Sequence, residues 1–395
     1  MAQINNYFKN IYGDQSEFRA KIKRHRMSIF YRTILVILIL AAAGVFLITY
    51  NKNLTYSDYS VIKTLEYQES GAASYIKFNN NILKYSTDGI SAFNMENEML
   101  WNQTFEMQNP LVDVCDDYVA IGDYKGSKIY VLNSSGLQGQ IDTTLPLQNF
   151  CVSGNGNVAV VLEEGNVTWV KLFDKKGNNI ANDRTTMDKS GYPVSVAISN
   201  DGTMLCVSYL VVDSGKISSS VAYYNFGDVG QNEIDNLVSG YNYTGTVMSY
   251  VEFMNSKTSF AVGDNKFEIY KGTEKPENIF ELGLDKEVKS VFYNEEYIGL
   301  VYQEGTSEAP FHIDVYDTSG NLVLEKDFAL RYSDILFNKD YLIIYNSDEC
   351  VIYTFRGKEK FNGNFKESIL EMVPTNNVNK YLIVLADRTE EIQLK

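Results

Sequence analysis

The stretch YVAIGDYKGSKIYVLNSSG, residues 118–136, decides how the rest of the chain is read. It opens with a short apolar run that ends in Asp123, continues with an alternating segment from Lys128, and closes on Asn133-Ser-Ser-Gly136. Alternation gives a strand one buried and one outward face, and Asn, Ser and Gly tolerate the backbone that a hairpin turn needs. The apolar run recurs as SFAVGD ending at Asp264 and as YLIVLAD ending at Asp387, with looser copies ending at Asp88, Glu164, Asp213, Glu304 and Asp348. From Asp88 to Asp387 there are seven intervals of about 43 residues, the period of a four-stranded propeller blade. The alternating segment recurs too, leading into Asn94, Asp174-Lys-Lys-Gly177, Gly272, Asp317-Thr-Ser-Gly320 and Gly357.

Counting outward gives units at 73–107, 109–146, 147–190, 192–244, 245–284, 286–330 and 331–368. Residues 369–395 then supply only three strands. A spare one, SVIKTLEY, stands at residues 60–67. If it completes the last unit, both ends of the domain close one ring and fewer sheet edges stay open. The expectation is an all-β, eight-bladed propeller at residues 60–395, closed by 60–67, with seven blades as the alternative. Aromatic content agrees: 29 Tyr and 21 Phe against 6 Pro favour strands. So does the balance of 45% hydrophobic and 22% charged residues, which excludes a disordered chain of this length.

Before the repeats, TILVILILAAAGVFLITY occupies residues 33–50 without a charge. At 1.5 Å per residue it reaches about 27 Å, close to the hydrocarbon thickness of a bilayer. A soluble buried helix would keep a polar face, and this one has none. Residues 1–50 carry seven Lys/Arg and two Asp/Glu, a net of +5, which leaves −20 for residues 51–395. The basic side is the cytoplasmic side. The reading is therefore a basic cytoplasmic tail at 1–32, a transmembrane signal-anchor at 33–50, a linker at 51–59 and an extracytoplasmic domain. Cleavage at Ala41-Ala42-Ala43 is the competing reading, but the apolar run continues past it and the polar segment ahead is long for a signal peptide. The lipid bilayer is thus the expected partner of 33–50, and a body of charge −20 excludes nucleic acid.

The stretch GISAFNMENEMLW, residues 89–101, resembles the repeat of quinoprotein-like propellers, in which a strand ending near Asp or Asn turns into one carrying a tryptophan; Asp317 to Leu324 is similar without the tryptophan. The whole arrangement resembles a family of single-pass bacterial membrane proteins with an uncharacterised exported propeller of quinoprotein-like or WD40-like repeats. That resemblance implies fold and plasma-membrane location, and no chemistry. Quinone-dependent dehydrogenases have many regularly placed tryptophans; here there are only Trp101 and Trp169, and no adjacent cysteine pair.

Chemical motifs are sparse. Cys115, Cys151, Cys206 and Cys350 have no metal-like spacing and lie in or beside apolar strands; buried thiols are the favoured reading and a Cys115–Cys151 bridge the other. Asp113, Asp116 and Asp117 form the densest acidic group, read as a strand turn in preference to a calcium loop. His25 reads as a juxtamembrane polar residue, and His312 as a hydrogen-bonded structural histidine. Asp123, Asp264 and Asp387 read as turn caps, with a carboxylate ring at one channel mouth as the alternative. No catalytic, cofactor-binding or metal residue is assigned from sequence. The functional expectation is a non-enzymatic binding or scaffold protein of the cell envelope, with a protein or cell-wall partner on one propeller face. The alternatives are a small-molecule or cation receptor using the channel, and a cell-wall glycan hydrolase or lyase.

Overall fold

The structure, a computed structural model, describes residues 15–66, 73–79, 81–186, 190–303 and 306–395, with backbone alone at 15–17, 45 and 47–53. The chain forms two compact units that divide between Thr55 and Tyr56. The first contains one helix, α1 (Gln15–Asn53), whose segment Phe18–Gly44 is long and apolar enough to cross a membrane. Its apolar side chains from Ile34 to Leu40 are exposed around the whole circumference.

The second unit is an eight-bladed β-propeller: eight sheets, each of four antiparallel strands in which sequence neighbours pair. Blades 1 to 7 span residues 74–104, 110–142, 147–186, 192–244, 248–283, 288–328 and 334–364. Blade 8 is the exception. Its order is Tyr59–Glu66, Arg388–Leu394, Lys380–Val384, Glu371–Pro374, so the N-terminal strand is its outermost member. The pairing runs from Tyr59↔Leu394 to Glu66↔Arg388, with one bulge between Val61 and Lys63. Eight blades and the closure by both ends are as the repeats predict, and the seven-bladed alternative falls away.

The closing strand begins one residue earlier than the alternation suggests, because Tyr59 is buried and its hydroxyl accepts the Lys366 N–H at 2.9 Å. Tyr67, the predicted end of that strand, and Glu304, one of the predicted strand ends, lie outside the described residues. Just before the strand, Tyr56 donates its N–H to the Lys360 carbonyl at 2.8 Å in blade 7. The entering chain thus touches two blades.

Buried apolar residues fall into eight clusters, one between each pair of neighbouring blades. This follows from strand geometry, since every blade has apolar faces on both sides and must bury each against a neighbour. The turns between third and fourth strands hold as predicted. Asp317 Oδ1 accepts the N–H groups of Ser319 (2.7 Å) and Asn321 (3.0 Å), and Asp174 does the same for Lys176 (2.9 Å) and Asn178 (2.8 Å). Gly320, at φ +81°, leaves room that no other residue leaves: a Cβ there would lie 2.3 Å from the Phe280 ring of blade 5.

Candidate functional site

Neighbouring blades touch through their first strands, which form the inner ring around the channel. Asp113 of blade 2 accepts the Val152 N–H at 2.6 Å. Glu252 of blade 5 accepts the Phe253 N–H at 3.0 Å and the Tyr250 hydroxyl at 3.3 Å. Burial raises the Glu252 carboxyl to about 8, and the charge of Asp113 pushes the same way. Burial raises Asp113 to about 6. Both side chains are half-buried and keep some solvent, which limits the push. On blades 7 and 8, Tyr345 donates to Glu371 at 3.0 Å beside Asp334, and burial raises Glu371 to about 7. The ring thus carries carboxylates whose protons are held above the ordinary carboxylate range.

The acidic group read from sequence is divided by the fold. Asp113 points into this inner ring, whereas Asp116, at φ +49°, and Asp117 form the hairpin turn. Asp117 accepts from Asn79 (3.1 Å) and Ser134 (3.0 Å), so it ties blade 2 to blade 1. Asp123 accepts the N–H groups of Gln108 (3.0 Å) and Asn109 (2.7 Å), and Asp264 that of Val247 (3.1 Å). Both act as caps on the chain that enters their own blade. Asp387 pairs with the Arg388 guanidinium at 2.9 Å. All four cysteines are free thiols, and burial raises Cys115 to about 12, which leaves it un-ionised and unreactive.

A cavity of about 740 Å³ lies elsewhere. Among the described residues the apolar cluster between blades 8 and 1 consists of four buried ones, Ile82, Val373, Leu382 and Val384, backed by Tyr75 and Met95. Every other junction buries nine or more among the described residues. Two cavities flank the plug. One, of about 740 Å³, runs along blade 1 past Tyr75, Lys84, Ser91, Phe93 and Asn102 to Val384 and Thr389 of blade 8. Lys84 stands 5.7 Å from the centre of the Tyr75 ring, and Ser91 donates to Asn102 at 2.8 Å. The other, of about 590 Å³, is lined by Lys63, Lys77, Asn94, Asn338, Lys339 and Asn376. Asn338 Nδ2, covered from solvent, has no hydrogen-bond partner.

This cleft joins the Tyr75 and Phe93 rings to the Ser91 and Asn102 side chains, with Lys84 and Asp88 as charges of opposite sign, a lining able to hold a chain of amides or hydroxyls. Its walls include Asp88, Gly89, Phe93 and Met99, within or beside the stretch that resembles a quinoprotein repeat. Sequence reasoning located the repeat and missed the cleft, because a thin junction depends on what two blades fail to bring to each other.

No curated protein matches the chain. The fold is similar to that of BamB from Moraxella catarrhalis at 11% identity and a TM-score of 0.52, covering 85% of this chain and 100% of that one. Sqt1 from Chaetomium thermophilum is similar at 12% identity and a TM-score of 0.51, covering 86% and 100%. At such identities the likeness concerns fold alone. A family model matches residues 51–394, nearly the whole of the β-rich unit and its approach, and the chain belongs to that family, DUF5711, a family of unknown function.

Proposed function

We propose that the protein is a membrane-anchored, extracytoplasmic, non-enzymatic binding protein of the cell envelope, which holds a polypeptide partner in the cleft between blades 8 and 1. The domain plan is that read from sequence: cytoplasmic tail at 1–32, signal-anchor at 33–50, linker at 51–59 and propeller from 60. Supporting the placement are an apolar helix and the excess of Lys and Arg ahead of residues 33–50. The single observation that carries the binding reading is the cleft of about 740 Å³ beside the junction with the smallest apolar cluster among the described residues. A polypeptide suits it better than an anionic wall polymer, which a body of net charge −20 repels.

Photo-crosslinking in intact cells tests this, with the reactive group at Ser91 or Asn102 and a control at Ile279 on blade 5. The expected result is one adduct of defined mass from the cleft positions and none from the control. Equal yields at both, or an adduct to glycan in place of protein, would count against it. A second reading has an observation of its own, the proton-holding carboxylates Asp113, Glu252 and Glu371 of the inner ring. It makes the channel a receptor for a cation or small molecule, and a rise in melting temperature of the full chain with candidate cations would favour it.

A further inference from the structure

Blade 6 carries a group of side chains that neither reading uses. Its third and fourth strands, Phe311–Asp317 and Leu322–Phe328, pair so that His312 stands opposite Asp327 and Asp314 opposite Glu325. Residues two apart on a strand share a face, and directly opposed residues on the neighbouring strand share it too. One histidine and three carboxylates therefore meet on one side of the sheet. Ile313 and Val315, which alternate with them, are buried against blade 7 and hold the strand in place.

The distances give each group a part. His312 Nε2 is 3.0 Å from Asp314 Oδ1 and 3.8 Å from Glu325 Oε1. His312 Nδ1 lies 2.6 Å from Asp327 Oδ1. With the Nδ1 proton donated to Asp327, Nε2 turns its lone pair toward two carboxylate oxygens. A proton on Nε2, or a metal cation between the three atoms, makes that arrangement favourable, and the two compete for one place. Oxygen and nitrogen ligands about 2.0–2.2 Å from a divalent ion lie some 3–4 Å from one another, as the two imidazole–carboxylate separations do here, and all three ligand atoms lie within 4.8 Å of one another. A carboxylate on the far nitrogen is the support that metal-bound histidines ordinarily have, since it fixes tautomer and ring orientation. The Tyr302 ring, centred 6.1 Å from the imidazole, packs beside it. The charges of His312 and Lys286 both bear on Asp314, and that of Glu325 opposes them. Asp314 and His312 are about four-fifths covered while Glu325 is mostly exposed, so an ion has a route in from solvent. Among the described residues no other group of three His, Cys, Asp or Glu offers ligand atoms this close together.

We infer that His312 Nε2, Asp314 and Glu325 form a binding site for a divalent transition-metal ion, with Asp327 as the residue that positions the imidazole. Imidazole with two carboxylates suits Zn²⁺ better than Ca²⁺, which takes six to eight oxygens. Water completes the coordination. The site lies on the outer half of blade 6 and is independent of the cleft.

Titration calorimetry on the full chain in detergent, with Zn²⁺ and Ca²⁺ as separate probes, tests the assignment. Wild type should take up one Zn²⁺. His312→Gln and the double variant Asp314→Asn with Glu325→Gln should weaken binding by roughly 100-fold or more, Asp327→Asn by roughly 10- to 100-fold, and His25→Gln by nothing. Co²⁺ in place of Zn²⁺ should give a visible absorption spectrum that the His312→Gln variant loses. Melting curves without metal establish that each near-isosteric variant is folded. No Zn²⁺ uptake by wild type would overturn the inference. So would uptake unchanged by His312→Gln, or Ca²⁺ bound as tightly as Zn²⁺.

Discussion

The junction between blades 4 and 5 and the junction between blades 8 and 1 perform the same task with very different means. At the first, Tyr223, Tyr270, Phe253, Val251 and Met248 are buried together. Serines stitch the same seam: Ser219 accepts the Met248 N–H at 3.0 Å, and Ser195 accepts that of Val251 at 3.1 Å. Glu268, though 1% exposed, takes hydrogen bonds from the Tyr243 and Tyr270 hydroxyls and the Asn278 amide at 2.6, 2.7 and 2.6 Å. A buried polar group so fully satisfied rigidifies its surroundings. At the second junction, four apolar side chains lie between two cavities, and the strands on either side are the last and first of the ring. A ring needs every junction to close, but it does not need them equally strong. The weakest one falls where the two ends of the circle meet, and that is where room for a partner is found.

Substitution at the tight junction should break the contrast most visibly. Tyr223→Ala removes a fully buried ring and should cost about 3–5 kcal/mol, whereas Leu382→Ala beside the cavities should cost about 2 kcal/mol, both read from urea unfolding of the full chain. Equal costs would mean the two junctions are packed alike. Next, Gly320→Ala forces a methyl against Phe280 at positive φ and should destabilise by about 1–3 kcal/mol, while Ser91→Ala in the cleft should stay within about 0.5 kcal/mol. Removing the Asp123 cap by Asp123→Ala should cost about 1 kcal/mol.

A further effect concerns pH. Glu252 binds its proton more tightly folded, at about 8, than at its ordinary value of 4.5. The folded state then holds more protons than the unfolded one between those values, so stability falls as pH rises through that window, by at most about 1.4 kcal/mol per unit. Glu252→Gln should flatten the fall, seen as a smaller drop in melting temperature from pH 5 to pH 8. A slope unchanged in the variant would assign the pH dependence to other groups.

Much of this architecture was legible in the chain. Alternation, the Asp and Asn turns and the period of about 43 residues reported the blades, and the strand missing at residue 395 reappeared at Tyr59–Glu66 because the register demanded it. Such features are local, or repeat locally. The sites are not. The charge of Asp113 on blade 2 bears on Glu252 of blade 5, and the thin plug of Ile82 with Val373 depends on residues nearly three hundred positions apart. The His312 group stands between these extremes. H-x-D on one strand and E-x-D on the next, joined by the Asp317–Gly320 turn, already places all four side chains on one face once the hairpin register is written out.

Hydrogen–deuterium exchange of the full chain in detergent, resolved by peptide, tests the central claim most directly. The inner strands Ser74–Phe78 and Glu371–Pro374, which border the thin junction, should exchange well ahead of Tyr192–Ile198 and Met248–Asn255 at the tight one, while Tyr59–Glu66 stays protected together with Arg388–Leu394. Uniform protection around the ring, or early loss at Tyr59–Glu66 alone, would contradict a circle closed by its two ends and softest between blades 8 and 1.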